Sequence, residues 1–172
     1  MARMPELPDV CVYLEALDRR VVGQRLESVR IASPFVLRSY DPPIGALEGR
    51  VVRGLRRIGK RIVLEFGDDL FLVIHLMIAG RLRWRTPGQK HGISSKLILA
   101  TFQFPGGALY FTEAGSKKRA SLFVARGEAA LRALDPGGIE PLQATREEFD
   151  AALQRENHTL KRSLTDPHLF SG

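Results

Sequence analysis

The sequence predicts an α+β protein: an N-terminal helix, an antiparallel β-sandwich, and a helical segment after it. Three observations predict this. Apolar residues recur at helical spacing from residue 7 to about residue 20. They then recur at strand spacing, between glycine- and proline-rich turns, as far as about residue 125. After Gly127 the helical spacing returns. Many short strands of this kind pair into a sandwich, because each needs its apolar face buried against a second sheet.

In the first helix, Val10, Tyr13, Leu14 and Leu17 stand at i, i+3, i+4 and i+7. Pro8 falls in the first turn, where its missing N–H costs nothing, and Gly23 ends the helix. Further on, Ile62, Leu64 and Phe66 alternate with Arg61 and Glu65, and Gly67-Asp68-Asp69 makes a tight turn. Residues 70–76 are almost continuously apolar, as in a strand covered on both faces. Arg81-Leu82-Arg83-Trp84-Arg85 alternates, with Leu82 and Trp84 directed to the core and three arginines sharing the other face. Strands over 96–104 and 108–113 flank the hairpin connection Pro105-Gly106-Gly107, and 121–125 is one more.

The helical part begins with a short helix over 128–134 and the linker Asp135-Pro136-Gly137-Gly138. Thr145 and Glu148 form a capping box for a helix carrying Phe149, Ala152 and Leu153. Asn157 is placed to cap another through Leu164, and Leu169-Phe170-Ser171-Gly172 follows with no expected helix or strand to anchor it.

At 172 residues the chain fits one domain, or one with a helical appendage, and 44% hydrophobic residues suffice for an ordinary core. No apolar run approaches the roughly 18 residues of a membrane span, and no secretion signal is recognisable. Cytoplasmic residence is the default expectation. The single cysteine, Cys11, excludes an internal disulfide or a cysteine-rich zinc site and reads as a small helix residue. Net charge is +7, from 26 basic and 19 acidic residues, which favours a polyanionic partner. Six basic residues and no acidic one lie between Arg50 and Arg61; Lys117-Lys118-Arg119 and the Arg81, Arg83 and Arg85 set add to them.

The most informative stretch is Met4-Pro5-Glu6-Leu7-Pro8-Asp9-Val10. Methionine is readily removed before proline, so a chain started at Met4 exposes Pro5 as a free secondary amine. Such an amine can attack an aldehyde-equivalent carbon of a sugar, giving an iminium that stays charged without a proton. A lysine must lower a pKa of about 10.4 for the same task, whereas an N-terminal amine titrates at about 8. With Met1-Ala2-Arg3 in place, the Pro5 nitrogen is an ordinary amide. Glu6, one residue on, can reach the same sugar, or can simply favour the helix start through the dipole.

Four stretches together resemble the formamidopyrimidine-DNA glycosylase / endonuclease VIII family of repair enzymes: Pro5-Glu6-Leu7-Pro8-Asp9-Val10, Arg56-Arg57-Ile58-Gly59-Lys60, His75-Leu76-Met77-Ile78-Ala79-Gly80-Arg81-Leu82 and Leu160-Lys161-Arg162-Ser163-Leu164-Thr165-Asp166. The resemblance implies an N-terminal helix on a two-layer antiparallel sandwich, with residues 1–126 as catalytic domain. Residues 127–172 would be the linker and first helices of a helix–two-turn–helix domain. In the family that motif continues past the position of Gly172 and leads to a four-cysteine zinc finger. The resemblance therefore implies a truncated helical segment, no cofactor in this chain, and a zinc that belongs to a missing part.

Position by position, Pro5 resembles the nucleophile, Glu6 the acid that protonates the ring oxygen, and Lys60 the lysine that contacts the damaged nucleotide's phosphate and assists elimination. His91 resembles a phosphate-contacting loop histidine, and Lys117, Lys118 and Lys161 are implied DNA contacts. His75, inside an apolar strand, reads as a hydrogen-bonded core or sheet-edge histidine. Two departures stand out. Ile78 occupies the place of a gap-filling methionine. The family's aspartate-proline-arginine-arginine-phenylalanine loop is replaced by Thr112-Glu113-Ala114-Gly115-Ser116-Lys117-Lys118-Arg119-Ala120, where Arg119 stands in for the aromatic wedge. The expected function is a DNA glycosylase with abasic-site lyase activity. Its partner would be double-stranded DNA with oxidised bases or abasic sites, and the protein would be a monomer. The alternatives are a non-catalytic damaged-DNA-binding paralogue with a blocked N-terminus and a generic basic sandwich that binds nucleic acid.

Overall fold

The computed structural model describes residues 5–90, 92–115 and 117–171. Helix α1 (Leu7–Val21) directs Val10, Leu17 and Val21 inward, with Tyr13 and Leu14 at the margin, so the apolar stripe read from the sequence is the buried one. Its start is fixed by the Glu6 N–H, which donates to Asp9 Oδ2 at 3.0 Å. The strands are β1 (Ser28–Ile31), β2 (Val52–Ile58), β3 (Arg61–Phe66), β4 (Leu70–His75), β5 (Gly80–Arg85), β6 (Ile98–Phe104), β7 (Gly107–Glu113) and β8 (Ser121–Arg126). They form two antiparallel four-stranded sheets, ordered β2-β3-β4-β8 and β1-β6-β7-β5. The α+β sandwich expected from the sequence is the observed architecture.

Strand alternation divides each sheet into two faces. Ile62, Leu64, Leu72, Ile74, Leu122 and Val124 of the first sheet share one core with Leu82, Phe102, Phe104, Leu109 and Phe111 of the second. Each large side chain fully buried there contributes about 1.5–3 kcal/mol. The other face of the first sheet offers Val63, Phe71, Val73 and Ala125, which a short helix α2 (Gly127–Arg132) covers with Leu131. This is why β4 is apolar without interruption. The outer face of the second sheet is polar, and α1 and α2 lean on strands of the first sheet instead.

Three expectations need correction. The strand expected from Lys96 begins at Ile98, because Ser95–Leu97 forms a 3-10 turn whose capping N–H returns to Ser95. Helix α3 (Arg146–Gln154) has the expected capping box, but α4 (Leu160–Thr165) is entered through Thr159 rather than Asn157. The segment 169–171 is anchored after all. Ile139 N–H donates to Leu169 O at 3.0 Å, and Ser171 N–H to Ile139 O at 2.8 Å. The Phe170 ring packs 4.8 Å from that of Phe149, so burial of two phenylalanines replaces the missing regular element. No helix among the described residues is long and apolar enough to cross a membrane.

Candidate active site

Pro5 and Glu6 open helix α1 and line a cleft of about 400 Å³ with Pro8, Asp9, Tyr13 and Arg81. Pro5 is buried and Glu6 half-buried. Lys60 comes from a different element, the tight turn between β2 and β3. Gly59 makes that turn with φ +54°, a region that L side chains rarely adopt. The turn delivers Lys60 Nζ to 2.6 Å from Glu6 Oε2, with the lysine side chain only 17% exposed. Glu6 thus links the cleft that it shares with Pro5 to Lys60.

Lys60 also lines a second, more apolar cavity of about 230 Å³, at the seam between the sandwich and the helical segment. Its wall includes His75 and Met77 from the sandwich, and Pro136, Thr165 and Ser171 from beyond it. The seam is held by a two-pronged pair in which Arg57 Nη1 and Nη2 donate to Glu140 at 2.8 and 2.5 Å. The hydrogen bond to Glu140 raises the Arg57 pKa further above its ordinary value.

His75 is a residue that the sequence reading set aside and that the fold places beside Lys60 in the seam cavity. Burial pushes its pKa down to about 4, with the Arg61 and Lys60 charges acting in the same direction, so it is a neutral imidazole at pH 7. The unfolded chain takes up this proton near pH 6.5 and the folded protein only near 4. The contribution is therefore complete above pH 6.5 and is lost as pH falls toward 4. Between pH 7 and 4.5, wild type is expected to lose about 2 kcal/mol more than His75→Asn in urea unfolding, a figure reduced for partial solvent access. Equal losses would show that His75 is not held neutral.

The turn between β4 and β5 lies between the two cavities, with Met77 lining one and Arg81 the other. Met77 has φ +52°, a left-handed conformation costing roughly 1–2 kcal/mol in a non-glycine residue. At the far side of the turn a Cβ on Gly80 would stand 2.3 Å from Leu76 O, so only glycine fits. Between them Ile78 projects, 42% exposed, as an apolar side chain in water beside the cleft.

The loop after β7 carries Lys117 and Arg119, both exposed. It is latched by Glu113, itself 1% exposed, whose carboxyl oxygens accept the N–H groups of Arg119 and Ala120 at 3.0–3.3 Å. Lys118 is turned back, with Nζ donating to Glu113 O. Lys161 is exposed on α4, and it lines neither cavity, as is true of Lys117, Lys118 and Arg119. His91 and Met4 lie outside the described residues.

Apart from exposed Arg53, the basic stretch between Arg50 and Arg61 is not the open cationic face that its charge suggested. Arg50 pairs with Asp68, Arg56 with Glu65 at 2.7 Å and with Glu128, Arg57 with Glu140 and Lys60 with Glu6. The Arg61 guanidinium lies 5.8 Å from the centre of the Phe123 ring. Among the described residues no three His, Cys, Asp or Glu side chains converge in a way that would hold a metal, and Cys11 is exposed.

A family model, the formamidopyrimidine-DNA glycosylase N-terminal domain, matches residues 4–117, more than half of the chain. The chain belongs to the formamidopyrimidine-DNA glycosylase family. Its relatives include the formamidopyrimidine-DNA glycosylase of Lactococcus lactis subsp. cremoris, 29% identical over 171 residues, with 97% of this chain and 60% of the relative aligned. That of Heliobacterium modesticaldum is 31% identical over 176 residues, covering 98% of this chain and 63% of the relative. The crystal structure of the Lactococcus lactis enzyme bound non-covalently to DNA containing an AP site superposes with a TM-score of 0.82 at 26% identity, over 98% of this chain and 65% of that one. The same enzyme complexed with DNA containing Fapy-dG gives a TM-score of 0.81 at 26% identity, over 97% of this chain and 63% of that one. The chain thus spans about three fifths of the length of these family members.

Proposed function

We propose that the protein acts as a DNA glycosylase of base-excision repair, with abasic-site lyase activity, and that the amine of Pro5 is its nucleophile. The observation that carries this reading is the 2.6 Å contact by which Lys60 reaches Glu6, which lines the cleft together with Pro5. The relatives' names, and the AP-site and Fapy-dG DNA in the Lactococcus complexes, support DNA carrying damaged bases or abasic sites as the substrate.

The amine requires translation from Met4 and removal of that methionine, and the family match begins at that residue. In the reaction, the Pro5 nitrogen lone pair forms a bond to C1′ of the deoxyribose as the damaged base departs from that carbon. Glu6 takes up the proton that the Pro5 nitrogen sheds and passes it to the ring oxygen, whose bond to C1′ breaks as the nitrogen lone pair forms the iminium, which is the electron sink. The Lys60 ammonium, 2.6 Å from Glu6 Oε2, orients the carboxylate for this transfer. Loss of a C2′ proton then expels the 3′ phosphate and nicks the strand, and Lys60 assists by neutralising phosphate charge. Flipping the nucleotide leaves a gap, which exposed Ile78 and the Arg119 loop are suited to fill.

Borohydride reduction in the presence of DNA carrying an abasic site tests the reading. The expected result is a stable protein–DNA adduct that peptide mass mapping assigns to Pro5. An adduct on a lysine, or none, would remove Pro5 as the nucleophile.

A further inference from the structure

We infer that the open face of the β1-β6-β7-β5 sheet is a second nucleic-acid site, built for one extended single strand. Strand register places Arg30, Thr101, Tyr110 and Arg83 side by side across all four strands. The next outward row is Ser28, Gln103, Ala108 and Arg85. Arg30 and Arg83 are exposed at the two edge strands, while Thr101, Gln103 and Tyr110 are half-buried between them. A groove of about 380 Å³ runs over this floor, lined by Ser28, Arg30, Thr101, Gln103 and Tyr110 among others.

Charge selects the class of occupant. Apart from Arg53, the basic residues of β2 and its turn are committed to carboxylates or to an aromatic ring, yet the chain carries a net charge of +7. No outward-facing strand residue of the second sheet is acidic. Among the described residues, neither Arg30 nor Arg83 has a carboxylate partner. The floor then selects a single strand over a duplex. Three strand spacings separate the two edge arginines by about 14 Å, a span of a few nucleotides. Between them lie a tyrosine ring, a threonine hydroxyl and a glutamine amide. A duplex hides its base faces and could engage only the arginines. A single strand offers phosphates to Arg30 and Arg83, a base face to Tyr110, and base edges to Thr101 and Gln103. None of these residues lines the Pro5 cleft or the seam cavity, so the site stands apart from the reaction proposed above.

Fluorescence anisotropy with a labelled fifteen-residue oligo(dT) and an undamaged duplex of equal length tests this on the natural protein. Arg30→Gln combined with Arg83→Gln is expected to weaken oligo(dT) binding at least about tenfold, and Tyr110→Leu about tenfold, with Tyr110→Phe close to wild type. Borohydride trapping on abasic DNA should stay within about twofold of wild type in all of them, which separates this site from the proposed reaction. Wild-type oligo(dT) affinity in the double arginine variant would overturn the inference. So would an equal loss for duplex and oligo(dT) with no effect of Tyr110→Leu, the signature of diffuse charge. Polyglutamate competing as well as oligo(dT), again with no effect of Tyr110→Leu, would mark an acidic protein surface as the partner and overturn it too. Arg30 and Arg83 are exposed, so their replacement tests the site even if Tyr110→Leu perturbs the sheet.

Discussion

Extending the chain beyond Pro5 is expected to abolish covalent capture of abasic DNA. Protein translated from Met4 should give the reduced adduct, and the same protein with Met1-Ala2-Arg3 retained should give roughly a thousandfold less or none, as when a catalytic nucleophile is removed outright. The cause is electronic. An amide nitrogen shares its lone pair with the carbonyl and cannot attack C1′, however well placed it is. Pro5→Gly, which keeps a free but primary amine, should weaken capture without eliminating it. Glu6→Gln, which retains the amine but cannot deliver a proton, should slow base release by about 10²–10⁴. Intact-mass measurement establishes which N-terminus each preparation carries. Equal capture by the short and extended forms would exclude Pro5 and leave the cleft to another amine.

Glu113→Ala is expected to lower stability by about 3 kcal/mol. The carboxyl group sits at the end of β7, 1% exposed, and is the acceptor for the N–H groups of Arg119 and Ala120. Removing it leaves two donors without a partner, that of Ala120 buried and that of Arg119 partly so, at about 1–3 kcal/mol each where water does not reach them. Glu113→Gln keeps one oxygen in place and should lose about half as much. In a protein of this size the alanine variant should melt roughly 6–12 °C lower. The loop carrying Lys117 and Arg119 would lose its latch as well, so affinity for damaged DNA should fall more than the charge count predicts. A stability loss below about 1 kcal/mol would mean that water or a rearranged loop satisfies both N–H groups.

The sandwich was legible because strand alternation is a strong signal. Leu82 and Trp84 point inward between three arginines, as period-two spacing requires, and the uninterrupted apolar run of β4 is explained by α2 covering its second face. Strand β2 was harder to read, since Arg53, Arg56 and Arg57 interrupt Val52, Leu55 and Ile58. Of these, Arg56 and Arg57 misled the reading of charge. Their partners Glu128 and Glu140 lie far along the chain, and composition cannot announce a pairing that only folding creates. Pro5, Glu6 and Lys60 were each recognisable from a motif, but the contact of Lys60 with Glu6 depends on the turn at Gly59. Arg81 and His75 carried no signal separating them from a sheet-edge arginine and a core histidine. Their significance comes from the cavities they line.

The double covering of β4 bears on how the proposed chemistry survives thermal motion. A central strand with Leu70 to Ile74 shielded on both sides belongs to the last part of the protein whose amides open to solvent exchange. The hairpin that presents Lys60 is hydrogen-bonded directly to that strand through β3. The Arg57–Glu140 seam and the short helices beyond it have far less apolar burial and open at lower free energy. Local opening of the helical segment is therefore expected to leave the β2–β3 hairpin, and with it the Lys60 contact to Glu6, in place. Rigidity is concentrated under the reacting groups, and compliance is left to the helical segment.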